Sequence, residues 1–335
     1  LWSYSKISLT CCCERTSKLK IMKYLFIIDE PETLIFYKDT TIALIKECLS
    51  QGIEAHFTNI SSLSIDKKQN VIIESYLISK LAINSIEELI VERYKGKIKN
   101  KIQYFTKIFI RKDPPFDNNY LNLTFILEHA KNFNVEVIND PVSIRNHNEK
   151  LSILNFKNLI PSTIVTSEAK DIINFIKKEE KVILKPLDGM AGNGIFMVTP
   201  KDKNINVILE TATNNGKKTI MAQKYLPEIK NGDKRIIIIN GEAIPYSLAR
   251  IPAKGEIRAN LAKGGKGKAQ KLTIADKKIV MGVKDFLIKN KLNFVGLDII
   301  GNYLTEINIT SPTGIVEIEE LTNFKVAEYI VNAFK

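Results

Sequence analysis

The sequence predicts an α/β protein in its first part and an α+β arrangement of antiparallel strands and helices in its second. Three observations carry this. Lys23–Ile28 (KYLFII) is a short apolar run, followed by a helical pattern over Asp39–Gln51 and a second strand over Ile53–Asn59, the opening of a βαβ sheet. Arg235–Asn240 and Ala243–Ile251 read as a hairpin across Gly241. Phe294–Gly314 (FVGLDIIGNYLTEINITSPTG) reads as two β-runs around a tight turn at Gly301-Asn302.

Residues 1–21 have neither periodicity nor the apolar core of a signal peptide, so they are expected to be an upstream extension or a short disordered tail. In the first helix Ile42, Leu44, Ile45, Cys48 and Leu49 form the apolar face, and Gly52 ends it. The first strand runs into DEPETLIF rather than G-x-G-x-x-G, which disfavours a dinucleotide site there. Residues 60–104 are charged, with further strands expected. Lys107–Ile110 is a strand that ends in Arg111, and α/β sheets bind ligands at such carboxyl ends. A helix over Leu121–Asn132 and a strand over Glu136–Ile138 lead to a boundary at Asn139-Asp140-Pro141. Beyond it the pattern gives a helix over Glu149–Phe156, then a strand over Val182–Lys185 paired with Ile195–Val198 across a glycine-rich turn. A strand over Ile220–Lys224, a long loop over 252–270 and a helix over Asp276–Lys289 follow.

With 335 residues, 44% of them hydrophobic, the chain can bury more than one core. No apolar run approaches the ~20 residues that span a bilayer, so no membrane partner is expected. The formal charge of +12 is scattered over lysines without a basic stripe interleaved with aromatics, which argues against nucleic acid. Cys11, Cys12, Cys13 and Cys48 include no C-x-x-C spacing, so a zinc site is not expected, and one cysteine in the body fits a reducing cytoplasm.

Two constellations carry chemistry. On the last hairpin, alternation puts Glu306 and Asn308 on one face, and the fold of the hairpin brings Asp298 beside them. Two carboxylates and an amide suit a hard cation such as Mg²⁺ that also holds phosphates. In LKPLDGMAGNGIF, Gly189, Gly192 and Gly194 let backbone N–H groups approach an anion and Lys185 adds a point charge. With Lys150, and the strand end at Gln223–Leu226, this becomes a nucleotide cleft. Each feature alone has a plainer reading, a polar-faced hairpin and a glycine turn.

The strings ILKPLDGMAGNGIF, QKYLPEIKNGDKRIIIINGEAIPYSLARIPAKGEIRANLAKGGKGKA and FVGLDIIGNYLTEINITSP, with NDPVSIRNHNEKL and IRKDPPFD, resemble the bacterial glutathione synthetase family of the ATP-grasp superfamily. The resemblance runs in order from about Met22 to the C-terminus. It implies an ATP-grasp fold preceded by a small parallel-sheet domain, divided as 22–140 and 141–335, the latter with a lid about 155–225 and a metal and substrate part about 226–335. It implies a ligase that phosphorylates the C-terminal carboxylate of γ-glutamylcysteine with ATP and lets glycine displace the phosphate.

Carried over by motif position, Lys150 and Lys185 contact ATP phosphates, with Gly189, Gly192 and Gly194 beneath them. Lys224, Tyr225 and Leu226 line the adenine pocket. Asp298, Glu306 and Asn308 hold Mg²⁺, with Mn²⁺ as an alternative. Arg111 and Arg235, with Ser311 and Thr313, bind substrate, and Arg250 and Arg258 act at the reacting phosphate, since a planar guanidinium suits carboxylate and phosphate alike. The loop over 252–270 is implied to be a flap that shields the acyl phosphate from water. Small-molecule substrates, a homo-oligomer and a cytoplasmic location complete the expectation. The chain departs from the family pattern at Val316, where an arginine stands between Ile and Glu, and at Ala191 in place of glycine. Alternatives are another ATP-grasp carboxylate–amine ligase, and a non-catalytic nucleotide-binding module, against which the intact Lys150, Lys185, Asp298, Glu306 and Asn308 argue.

Overall fold

The computed structural model describes residues 21–79, 84–190, 192–253 and 265–335. The expectations for residues 1–20, Ala191 and Arg258 fall outside these. The first unit runs β1 (Lys23–Ile27), α1 (Thr40–Ser50), β2 (Glu54–Thr58), β3 (Leu63–Ile65), β4 (Val71–Leu77), α2 (Ile86–Tyr94), β5 (Ile98–Lys101), β6 (Lys107–Ile110), α3 (Asn118–Glu128) and β7 (Glu136–Ile138). Strands β2, β1, β6 and β7 lie side by side and parallel, while β4 pairs antiparallel with β2, β3 and β5. Asp39 caps α1 by accepting from the Ile42 N–H at 3.0 Å. The parallel strands are buried on both faces, which is why they read as unbroken apolar runs. Tyr24, Phe26 and Phe109 point into one core with Ile42 and Ile45; Leu25, Ile27 and Ile108 point into another with Leu123 and Leu127.

The chain continues with α4 (Pro141–Asn146), β8 (Thr163–Thr166), α5 (Ala169–Glu179), β9 (Val182–Pro186), β10 (Phe196–Val198), α6 (Ile205–Ala212) and β11 (Ile220–Lys224). Here the sheet is antiparallel in the order β10-β9-β11-β8, with α5 and α6 packed on it. The last stretch is β12 (Asp233–Ile239), β13 (Glu242–Ile251), β14 (Lys266–Lys271), α7 (Ile274–Lys289), β15 (Phe294–Ile300), β16 (Tyr303–Asn308), α8 (Ile315–Thr322) and α9 (Val326–Ala333). Its sheet runs β14-β13-β12-β15-β16. One face packs on α7 through Ile236, Ile238, Leu297 and Ile299.

Two sequence expectations are corrected. The helix expected from Glu149 to Phe156 begins at Leu151 and is a 3-10 helix. Lys266–Lys271, expected within a long loop, is an edge strand on β13. Its KGKAQK sequence has no apolar alternation, because a solvent-facing edge strand is held by backbone hydrogen bonds rather than by side-chain burial.

The two halves share a core. Helices α8 and α9 return to the first unit, where Ile318, Val326, Ile330 and Phe334 join Tyr24, Phe26 and Phe109. The Tyr24 hydroxyl donates to the Phe334 carbonyl at 2.7 Å. Asn139 fastens the first unit to the five-stranded sheet, donating to the Phe294 and Ile309 carbonyls and accepting from the Phe294 N–H.

Candidate active site

A cavity of about 430 Å³ opens where the three sheets meet. The site face of the five-stranded sheet is set by register. Arg235 sits opposite Asp298, Asp298 opposite Glu306, and Asp233 opposite Arg250. A β-bulge between β15 and β16 shapes this face. Leu304 faces the core against α7, whereas Glu306 two residues later faces the cavity. An unbroken alternation would put both on one side; the extra residue, Thr305, turns the strand over. The hairpin reading of the sequence places Glu306, Asn308 and Asp298 together, and the structure does bring them together, but the bulge that makes this compatible with a packed Leu304 leaves no mark in the sequence.

The charge of Asp298 is met by arginines. Arg235 holds it with two hydrogen bonds, Nε to Oδ1 at 2.5 Å and Nη2 to Oδ2 at 2.9 Å. Arg250 Nη2 is 2.9 Å from the same Oδ2 and 2.5 Å from Asp233 Oδ2. Burial would raise the Asp298 carboxyl, but Arg235 and Arg250 outweigh it and hold it well below the usual carboxylate range. Burial pushes Asp233 the other way, upward, and its Oδ1 has no partner among the described residues. Gly296 makes room for this arrangement: a Cβ there would lie 2.8 Å from Arg235 Cδ.

Lys150 donates to Glu306 at 2.9 Å and to the Gly189 carbonyl at 2.6 Å. Burial disfavours its charge, but Glu306 overcomes this and raises its pKa. Lys185, from β9, donates to Gln223 Oε1 at 2.8 Å, and burial lowers its pKa. Gly192 and Gly194 adopt left-handed backbone at φ +76° and +70°. Gly189 and Gly192 line the cavity; Gly194 sits behind, against Pro186. Lys224, Tyr225 and Leu226 also line it, although the Lys224 side chain pairs with Glu179 at 3.2 Å.

Arg111 enters from the first unit at the end of β6. It is buried, with Nε on Thr41 Oγ1 at 3.1 Å and Nη2 on the Pro312 carbonyl at 2.9 Å. Its Nη1 has no partner among the described residues. Ser311 donates to the Arg111 carbonyl at 3.3 Å, and the Thr313 carbonyl accepts from Arg235.

Glu149 and Asp233 line the cavity and escaped the sequence reading. Glu149 Oε1 accepts from the Ile309 and Thr310 N–H groups at 2.8 and 3.0 Å, tying the segment before Lys150 to the end of β16. The sequence signal was its place beside Lys150. For Asp233 the signal was its position two residues before Arg235 on one strand face.

Comparisons with known proteins agree in one direction. The family model described as "Prokaryotic glutathione synthetase, N-terminal domain" matches residues 22–145, and "Prokaryotic glutathione synthetase, ATP-grasp domain" matches residues 149–323. The chain belongs to the prokaryotic glutathione synthetase family. Among its relatives, the glutathione synthetase of Neisseria meningitidis serogroup B is 42% identical over 313 residues, covering 93% of this chain and 98% of that protein. The glutathione synthetase of Vibrio parahaemolyticus is 41% identical over 315 residues, covering 94% and 98%. Solved structures of ATP-grasp ligases share the fold at low identity. D-cycloserine synthetase DcsG aligns with a TM-score of 0.63 at 11% identity, covering 93% of this chain and 98% of that one. A peptide-bound ATP-grasp ligase of Chryseobacterium gregarium aligns at 0.61 and 15%, covering 93% and 97%.

Proposed function

We infer that this chain is an ATP-dependent carbon–nitrogen ligase that joins γ-glutamylcysteine to glycine, giving glutathione, ADP and phosphate. Membership of the family across nearly the whole chain carries this reading. The geometry supports the division of labour.

Phosphoryl transfer is largely positioning and charge neutralisation. Lys150, which donates to the Gly189 carbonyl, and Lys185, both lining the cavity, are suited to the phosphates, and Lys224–Leu226 to the adenine. Arg111, with an unpartnered Nη1, is suited to a substrate carboxylate, with Ser311 and Thr313 alongside. Arg235 anchors Asp298 and orients Arg250. Arg250, held between Asp233 and Asp298 and lining the cavity, is suited to the reacting phosphate. Arg258 is proposed for the same task.

Among the described residues no three His, Cys, Asp or Glu side chains form a metal cage. The donor set nonetheless fits Mg²⁺ or Mn²⁺ bound partly through phosphate oxygens. Glu306 faces the cavity, and the Asn308 amide, whose nitrogen donates to the Gly296 carbonyl at 3.1 Å, leaves its oxygen for a cation. Asp298 would complete the set. The cation would neutralise charge on the transferred phosphoryl group.

The proposal extends to the four-stranded unit, about 155–225, as a cover over the nucleotide, with 22–140 and 226–335 as substrate and metal parts. It also places the reaction in the cytoplasm, where ATP is made. No described helix is long and apolar enough to cross a membrane. Purified protein with ATP, Mg²⁺, γ-glutamylcysteine and glycine should release phosphate and glutathione in equal amounts. Phosphate release that ignores γ-glutamylcysteine, or requires another acceptor than glycine, would favour a different carboxylate–amine ligase.

A further inference from the structure

The two lysines that line the cavity are held in different ways. Lys150 meets a carboxylate, Glu306, at 2.9 Å. Lys185 pairs with no carboxylate among the described residues; its ammonium donates to the amide oxygen of Gln223 at 2.8 Å. A neutral partner leaves the lysine charge available to an anion, whereas a carboxylate would cancel part of it. An amide can serve here only with its oxygen toward Lys185, because the reversed group would set donor against donor.

The polarity of that amide is fixed from behind. Gln223 on β11 is buried and lies opposite Thr163 on the edge strand β8. Its Nε2 donates to Thr163 Oγ1 at 3.1 Å. Thr163 Oγ1 in turn donates to the Pro161 carbonyl at 2.7 Å. A carbonyl oxygen only accepts, and a hydroxyl carries one proton. With that proton on Pro161, Thr163 has only lone pairs to offer Gln223. The amide must therefore turn its NH₂ to β8 and its oxygen to Lys185. Both ends of the chain from Pro161 to Lys185 require the same orientation.

We propose that Thr163 is a positioning residue for the nucleotide: it sets the polarity of the Gln223 amide and, through it, the place of the Lys185 charge. The proposal rests on the reading of Lys185 as a phosphate contact. Strand register supports it. Gln223 has Thr163 opposite on β8 and Ile183 opposite on β9, and Lys185 follows two residues after Ile183 on the same face. Gln223, Ile183 and Lys185 line the cavity, while Thr163 stands behind them. Burial already disfavours the Lys185 charge, so an ammonium that lost this acceptor would turn away toward water.

Calorimetric titration of the full chain with ADP and Mg²⁺ tests this. Thr163→Val keeps the shape and the β-branch but has no hydroxyl. It should bind ADP about 10-fold more weakly than the wild type, the scale of one buried hydrogen bond. Thr163→Ser, which keeps the hydroxyl, should stay within about twofold of the wild type. In turnover the Thr163→Val loss should appear in the KM for ATP, with the KM for γ-glutamylcysteine unchanged. A double-mutant cycle separates orientation from folding. Gln223→Glu puts two equivalent accepting oxygens in place of the amide, so no polarity is left to set. On that background Thr163→Val should bring no further loss of affinity for ADP. Wild-type affinity in Thr163→Val, no recovery in Thr163→Ser, or a loss that persists on the Gln223→Glu background would each overturn the proposal. A wild type that binds no ADP would overturn the reading of this cleft as a nucleotide site, and the proposal with it.

Discussion

Two buried polar networks lie on two sheets of this molecule, and only one of them has the makings of a site. In the first unit, His56 is fully buried between Glu54 Oε1, 2.9 Å from Nε2, and Ser75 Oγ, 3.2 Å from Nδ1. Tyr104 donates to the same Glu54 oxygen at 2.7 Å, and Lys23 lies 3.5 Å from it and 3.6 Å from the Tyr104 ring centre. A serine, a histidine and a carboxylate in line suggest a nucleophile. Yet Ser75 is completely buried and does not line the cavity described above, and His56, Glu54 and Ser75 all have partners. The network around Asp298 has the opposite character. It opens on a cavity, Arg250 bridges two carboxylates, and Asp233 Oδ1 and Arg111 Nη1 remain without partners among the described residues. Composition does not separate the two clusters. Unfilled hydrogen-bonding capacity beside an opening does.

The sharpest way to break this contrast is at Glu306. Glu306→Gln keeps the shape but removes the charge that faces Lys150 and the proposed cation. Turnover should fall by about 10²-fold or more, by analogy with other deletions of transition-state electrostatics, with the circular dichroism spectrum unchanged. A near-normal rate at saturating Mg²⁺ would reduce this face to a structural one.

Gly296→Ala probes the same network through packing alone. The new methyl group collides with Arg235 Cδ, so the Asp298 fork must shift. We expect a turnover loss of roughly 10-fold and a stability loss of ~1–3 kcal/mol, typical of overpacking. Full activity would mean that the position of Arg235 is not critical.

In the closed network, Ser75→Ala should leave the rate unchanged and cost ~1 kcal/mol in chemical denaturation, the scale of one hydrogen bond. A loss of activity at intact stability would overturn the reading of this cluster as structural.

The smallest effect is one of pH. Burial lowers the pKa of His56, so the folded state keeps the ring neutral while the unfolded chain takes up a proton at about 6.5. Its contribution to stability is present above that pH and is lost as pH falls from there toward the lowered folded value. Melting temperatures of His56→Gln should decline less steeply than those of the wild type between pH 7 and 5. Parallel curves would assign the acid sensitivity to other groups.

The sequence was most legible where burial repeats. The strands at Lys23, Lys107 and Val182, and the helix bearing Ile42 and Cys48, showed their apolar patterns. So did the hairpins at Gly241 and Gly301. What stayed hidden was held by the backbone or by distant partners. Lys266–Lys271 pairs through its main chain and shows no alternation. The bulge at Thr305 depends on what packs beneath Leu304. The sequence suggested that Asp298, Glu306 and Asn308 need a cation to coexist; Arg235, Arg250 and Lys150 supply much of that positive charge, and cross-strand register, not linear spacing, brings them there. The role of Glu149 likewise exists only once the end of β16 lies beside it.

The hydrogen bond from Tyr24 to Phe334 bears on the order in which the chain acquires its structure. On the ribosome, β1 and β6 emerge long before residues 315–334, so one face of the first sheet, covered in part by α1, must wait for them to be closed over completely. Folding of the first unit is therefore expected to finish only once residues 315–334 have emerged. It should depend on chaperones more than its local contacts suggest, since exposed apolar faces invite aggregation. A nascent chain stalled after Gly314 should be cut readily within residues 23–110, and the released protein should resist. Equal resistance would show that the first sheet stands on its own.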